Sequence, residues 1–289
     1  TAGLVEQASR ESDTAIIILG RTAGEDRDNE ILPGSYLLTE QEEAMLEIVC
    51  KTFRRTVVLL NVGNIIDMNW MKRYNPSAVM YVWQGGQEGG NGVLDVLTGK
   101  ISPCGKLADT IARDIQDYPS TANYGGTAYN VYAEDIYVGY RYFETFAQER
   151  VLYPFGFGLS YTTFAIEAST VLQKENTVEI SCRVANTGSV RGKQAVQVYL
   201  EAPQGKLGKP QRILAGFTKT DCLAPGERQS ITMQIPFTAL ASYDDAGKSG
   251  HKAAWVAEPG EYKFYVGEDV RNVKACGTIV IKDLLVVEQ

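Results

Sequence analysis

From Thr1 to about Arg113, short uninterrupted apolar runs alternate with longer stretches whose apolar residues recur every three or four positions. Ala15-Ile-Ile-Ile-Leu19 shows no polar side, the pattern of a parallel strand covered by helices on both faces. Thr39 to Phe53 predicts a helix: Ala44, Met45, Ile48, Val49 and Phe53 recur at helical intervals, and Thr39 followed three residues later by Glu42 has capping-box spacing. Thr56–Leu60 predicts a second strand, Ile65–Met71 a short helix, Ala78–Trp83 a third strand, and Asn91–Leu97 a helix closed by Gly99. Such alternation predicts a parallel α/β layer. Three strands fall short of the roughly five or six of an ordinary sheet. Thr1 also falls inside a helical pattern, so polypeptide absent from this chain is expected to complete the sheet.

The pattern then changes twice. Residues 116–160 lack periodicity and are rich in tyrosine, including Tyr118, Tyr124, Tyr129, Tyr132, Tyr137, Tyr140, Tyr142 and Tyr153. That aromatic surface predicts an ordered strap rather than a flexible linker. From Tyr161 onward the period is two: Val178, Ile180, Cys182 and Val184 face one way, Glu179, Ser181 and Arg183 the other. Turn signals at Asn186-Thr-Gly188, Ala224-Pro-Gly226 and Glu258-Pro-Gly260 separate further strand-like runs. The expected organisation is therefore an incomplete α/β domain over residues 1–115, the strap, and an all-β sandwich of about seven strands over 161–289.

Composition narrows the chemistry. The 289 residues carry 28 Lys+Arg against 35 Asp+Glu, a net charge of −7, and no basic block, which argues against nucleic acid as a partner. No apolar run approaches the roughly 20 residues of a membrane span, and no secretory leader pattern follows Thr1. The single histidine, His251, removes a Ser-His-Asp triad from most of the chain and excludes His-rich metal sites. Five cysteines without CxxC spacing point to neither zinc nor a disulfide framework. Every Asn lacks the N-x-Ser/Thr context, and together with the cysteines this favours a bacterial cytoplasm; secretion stays open if the chain is a piece. Carboxylates must carry any chemistry, with no metal or cofactor implied.

Two loops follow strand ends, where open parallel sheets bind ligands. Gly20–Asn29 sets Glu25 beside Asp26 and Asp28, between Arg21 and Arg27. These charges fit a solvated surface loop or a general acid/base; the arginines oppose the second reading, since nearby positive charge lowers a carboxyl pKa. Trp83-Gln-Gly-Gly-Gln-Glu-Gly-Gly-Asn91 lacks phosphate-loop spacing. There the glycines are expected to permit close packing, Glu88 to cap a helix, and Trp83 either to stack on a sugar or to serve the core.

Several motifs in one order resemble glycoside hydrolase family 3: Leu19-Gly-Arg-Thr-Ala-Gly-Glu25-Asp-Arg-Asp28, Leu37-Leu-Thr-Glu-Gln-Glu42, Gln84-Gly-Gly-Gln-Glu-Gly-Gly-Asn91, Ser102-Pro-Cys-Gly-Lys-Leu107, Tyr140-Arg-Tyr-Phe143 and Tyr153-Pro-Phe-Gly-Phe-Gly-Leu-Ser-Tyr161. The β-half resembles that family's fibronectin type III-like domain in Val184-Ala-Asn-Thr-Gly188, Leu223-Ala-Pro-Gly-Glu227 and Pro259-Gly-Glu-Tyr262. The resemblance implies a retaining, exo-acting β-glycosidase (β-glucosidase-like) with an aspartate nucleophile on a (β/α)8 barrel and an acid/base glutamate on an α/β sandwich. On that likeness Glu25 matches the acid/base, with Asp26, Asp28 and Glu30 as competitors, and Arg21, Asp26, Arg27 and Trp83 are expected to contact substrate. The second glycine of the family's loop is missing, as are a Ser-Asp-Trp nucleophile segment and any eight-fold repeat. The implied partners are a β-linked glycoside and the barrel polypeptide, with self-association left open. A non-catalytic carbohydrate-binding or assembly module is the alternative.

Overall fold

The computed structural model describes residues 2–22, 29–126 and 128–288. The chain divides into two compact units, residues 1–98 with 113–117, and residues 99–112 with 118–289.

In the first unit, α1 (Ala2–Glu11) precedes β1 (Thr14–Gly20), followed by α2 (Glu40–Thr52), β2 (Arg55–Asn61), α3 (Trp70–Tyr74), β3 (Ala78–Tyr81) and α4 (Gly89–Leu97). The strands form a parallel sheet in the order β1-β2-β3, with Ile17 opposite Val58 and Val58 opposite Val79. Thr39 starts α2 as read from the sequence: its hydroxyl accepts the Glu42 N–H at 3.1 Å, and the Glu42 carboxylate accepts the Thr39 N–H at 2.9 Å. Central β2 buries Val58 and Leu60 completely. On β1 the two faces differ. Ile17 and Leu19 are buried, whereas Ile16 and Ile18 remain 54% and 64% exposed, so the expectation of two covered faces is corrected to one among the described residues.

Three local readings are also corrected. The helix expected at 65–71 begins at Trp70, because the Asp67 carboxylate accepts the Asn69 N–H and holds a turn in front of it; it ends at Asn75, whose φ of 47° precedes Pro76. The third strand stops at Tyr81, two residues short of Trp83. Glu88 stands at the N-cap of α4 but its side chain makes no cap; it accepts from the Asn91 side chain instead.

In the second unit β4 (Ile111–Ala112) pairs antiparallel with β5 (Val151–Tyr153), and α5 (Tyr140–Phe146) lies between them in sequence. Then come β6 (Phe164–Gln173), β7 (Thr177–Asn186), β8 (Ala195–Glu201), β9 (Ile213–Lys219), β10 (Arg228–Pro236), β11 (Ser242–Asp244), β12 (Ala254–Ala257), β13 (Gly260–Gly267), β14 (Val273–Ile281) and β15 (Leu285–Glu288). Two antiparallel sheets, β10-β7-β6 and β14-β13-β8-β9, close over one core, with β11-β12-β15 as a small third sheet. Alternate residues fill that core: Val178, Ile180, Cys182 and Val184 from β7, Val196, Val198 and Leu200 from β8, Tyr262, Phe264 and Val266 from β13. The architecture is thus α/β with a parallel sheet, then a β-sandwich, as the change of period predicts.

The tyrosine-rich segment holds regular structure that its pattern does not announce. Phe143 is fully buried with Ala112, Ala147 and Val151, and the Tyr118 ring meets it edge-on at 5.3 Å. Tyr140 stacks on Phe155 at 4.3 Å, and its hydroxyl accepts the Leu214 N–H. This segment also roofs the outer face of β8, which explains why Gln197 and Tyr199 are buried although they point away from the sandwich core. Gly156 makes the roof possible: φ is +82°, and a Cβ there would lie 2.3 Å from the Gln197 amide oxygen.

Candidate functional site

The site expected from the sequence falls on the segment that follows β1. Glu25, Asp26, Arg27 and Asp28 lie outside the described residues; Gly20 to Thr22 precede that segment and Asn29 and Glu30 follow it. Arg21 extends the β1–β2 ladder by one step, its N–H donating to the Asn61 carbonyl at 3.1 Å. Its guanidinium is then completely engaged. Nε donates to the Ser35 carbonyl, one terminal nitrogen to the Gly20 carbonyl and Glu42 Oε1 at 2.6 Å, the other to the Leu37 carbonyl and Glu42 Oε2 at 2.9 Å. A guanidinium has five N–H donors, so none remains for a sugar hydroxyl. The expectation that Arg21 contacts substrate does not fit this geometry. It is a structural cation, its side chain 9% exposed.

Glu42 is the residue that sequence reading used only in part. Spacing from Thr39 identifies its cap; the pairing with Arg21, 21 residues earlier, leaves no local signal. Burial pushes the Glu42 carboxyl up, but the Arg21 guanidinium and the Thr39 amide and hydroxyl outweigh it, and its pKa lies below the ordinary value. The residues that follow the undescribed segment are fixed as well. Asn29 donates to the Ile65 carbonyl at 2.9 Å and accepts from the Ser35 hydroxyl, which in turn accepts the Glu30 N–H.

Beside these residues lies a pocket of about 150 Å³ lined by Arg21, Thr22, Asn29, Glu30, Ser35 and Asn64 among others. Trp83 does not line it. The indole is half-buried at the end of β3, tilted against Tyr81 at 4.7 Å, and its φ of 58° is rare for a bulky residue. Backbone strain of that sort concentrates at ligand sites. Of the loop glycines, Gly85 answers to packing, since a Cβ would sit 2.8 Å from the Gly89 Cα; Gly86, Gly89 and Gly90 face open space among the described residues. No group of three or more His, Cys, Asp or Glu side chains among the described residues is placed to hold a metal ion. No described helix is long and apolar enough to cross a membrane.

The chain joins a parallel three-stranded α/β layer to a β-sandwich, and comparison with known proteins gives this combination a family. Residues 3–161 match the glycosyl hydrolase family 3 C-terminal domain, and residues 194–270 match a fibronectin type III-like domain. The chain belongs to glycosyl hydrolase family 3. It is 54% identical over 99% of its length to a beta-glucosidase of Ruminococcus albus, of which it covers 30%. A crystal structure of a beta-glucosidase from Paenibacillus barengoltzii superposes with a TM-score of 0.95 at 50% identity, over 100% of this chain and 33% of that one. An exo-alpha-(1->6)-L-arabinopyranosidase of Bifidobacterium breve is 33% identical over 96% of this chain and 36% of its own length. The chain thus spans about a third of the relatives it matches.

Proposed function

We propose that this chain is the acid/base-bearing portion of a retaining exo-acting β-glycosidase, with a β-glucoside as substrate and the nucleophile on polypeptide outside the chain. A retaining glycosidase uses two carboxyl groups roughly 5–5.5 Å apart, one attacking the anomeric carbon while the other protonates the leaving oxygen and later deprotonates water. Glu25 takes the second role here. What supports this reading is the sequence resemblance at Gly24-Glu25-Asp26-Arg27, a segment inside the residues matched to the family 3 C-terminal domain and following the carboxyl end of β1, where open parallel sheets bind ligands. Two further points support it. Arg21, whose charge argued against a proton-donating neighbour, is neutralised by Glu42. The bare Ile16 and Ile18 face and the share of the relatives' length agree with an incomplete assembly to which a barrel is added. Asp26 and Arg27 are proposed to meet the sugar hydroxyls, and the exposed part of Trp83 the apolar face of the ring.

The test compares the isolated chain, expected to hydrolyse no aryl β-glycoside, with the assembled enzyme, expected to be active. In that enzyme Glu25→Ala should slow substrates with poor leaving groups far more than those with good ones, and azide should restore turnover. Equal loss for all leaving groups without rescue removes Glu25 from the role.

One observation favours a second reading, a carbohydrate-binding module. Tyr243 and Trp255, paired across β11 and β12 with rings 5.4 Å apart, are 49% and 43% exposed. Retention of the isolated chain on immobilised β-glucan, lost on Trp255→Ala, would support it.

A further inference from the structure

The small sheet β11-β12-β15 carries a row of side chains that the sandwich core does not use. Tyr243 stands opposite Trp255 and Trp255 opposite Glu288, and partners across antiparallel strands share a face, so two rings and a carboxylate lie side by side on one surface. All three are exposed. Their neighbours along the strands point the other way and hold the row from behind: Asp244, Ala254 and Val256 are almost wholly buried. The Asp244 carboxylate accepts the N–H groups of Gly247, Lys248 and Ser249, and its carbonyl accepts that of Ala253, which pins the hairpin between β11 and β12. The rings are therefore set in place before anything binds, which lowers the ordering cost of binding. Their polar groups are open as well. Among the described residues the Tyr243 hydroxyl, the Trp255 indole N–H and the Glu288 carboxylate have no hydrogen-bond partner.

A sugar chain fits this row. A pyranose with equatorial hydroxyls turns an apolar C–H face to an indole or phenol ring, and its rim of hydroxyls can bond a carboxylate, an N–H and an O–H. The exposed charges on these strands and the hairpin balance, Lys248 and Lys252 against Asp245 and Glu288, so no field selects an acidic polysaccharide or nucleic acid. Two rings edged by charged residues also lack the charge-depleted apolar centre of a protein interface. The rings are 5.4 Å apart with their planes at 55°. Planes so inclined match consecutive sugar units turned relative to one another, as in a soluble chain, and not the coplanar units of a crystalline face. We propose that Tyr243, Trp255 and Glu288 form a binding surface for a soluble, neutral β-glucan, the rings stacking on its sugar units and the carboxylate accepting from a hydroxyl. The β-linked class of sugar rests on the reading given above; the row itself draws on no residue of the segment that follows β1. Binding there adds to glycosidase chemistry rather than replacing it: a polymer held on the enzyme raises the effective concentration of its own ends.

The experiment is affinity electrophoresis of the chain and of the assembled enzyme through gels containing soluble mixed-linkage β-glucan. Both should be retarded. Trp255→Ala should weaken the affinity at least about tenfold and Glu288→Ala about threefold to fivefold, while Trp255→Phe, which keeps a ring, should retain part of it. Glu288→Ala, on an exposed strand end, keeps the test open if Trp255→Ala does not fold. Phe217 of β9 is exposed but lies outside the row, so Phe217→Ala should change nothing. The inference is overturned if neither protein is retarded, if Phe217→Ala weakens binding as much as Trp255→Ala, or if crystalline cellulose is bound as tightly as the soluble polymer. Retardation of the chain that vanishes in the assembled enzyme overturns it too, since the row is then covered by other polypeptide. Hydrolysis of an aryl β-glucoside by the assembled enzyme, measured alongside, separates the two readings. An active enzyme that is not retarded refutes this surface alone; a retarded, inactive one refutes the glycosidase reading while the surface stands.

Discussion

Lys209 and Glu258 lie almost wholly out of water, and the Glu258 carboxylate takes the Lys209 ammonium together with the N–H groups of Lys206 and Leu207. Removing one partner of such a pair leaves a buried charge, so Lys209→Met should cost about 3–5 kcal/mol at neutral pH, measured by urea denaturation. Burial raises the Glu258 carboxyl pKa, but the lysine and the two amides outweigh it, and the folded value lies below the ordinary 4.5. A depressed carboxylate stabilises the fold above its unfolded pKa, and that contribution is lost as pH falls through the folded one. The gap between wild type and Lys209→Met should therefore narrow below about pH 4. None of this is legible in the sequence, because the partners are 49 residues apart. Thr39 and Glu42, three apart on one helix turn, are legible for the opposite reason. Arg21 shows the same limit: its place after a strand is readable, but the acceptors it finds on Gly20, Ser35, Leu37 and Glu42 are not.

At the scale of elements, periodicity identifies what local sequence controls. β1, α2 and β2 fall where the apolar pattern puts them, because repeated burial at fixed intervals is written into each segment. The helix α3 is displaced because an aspartate turn outranks a weak apolar pattern. The seven-residue α5 is too short to hold itself together in water and forms because Phe143 is enclosed. Phe143→Ala should cost about 3–5 kcal/mol by denaturant unfolding, with the loss felt at Tyr118, whose ring packs on it. A loss under about 1 kcal/mol would mean that α5 is ordered by something else.

At the scale of the whole molecule, the change from helical to alternating period correctly divides α/β from β-sandwich, and the strand count read from the first half matches the three-stranded sheet β1-β2-β3. Ile16 and Ile18 of β1 are exposed on one face of that sheet among the described residues. What the pattern hides is where the second unit begins. Its interior draws on residues 99–112 and on the segment from Tyr118 onward. Glu144 is bonded to Arg271 at 2.9 Å, and the Phe155 carbonyl accepts the Val270 N–H.

The roof over β8 has a practical outcome for anyone dividing this chain. A fragment started at Tyr161, where strand alternation sets in, would strip Tyr140 from Tyr199, Gly156 from Gln197 and Phe155 from Val270, and leave Arg271 without its carboxylate. It should be poorly soluble and bind hydrophobic dye, while one started at Gly99 should stay monodisperse. The β-half is therefore no severable cassette at Tyr161: the aromatic segment that precedes it supplies part of its packing.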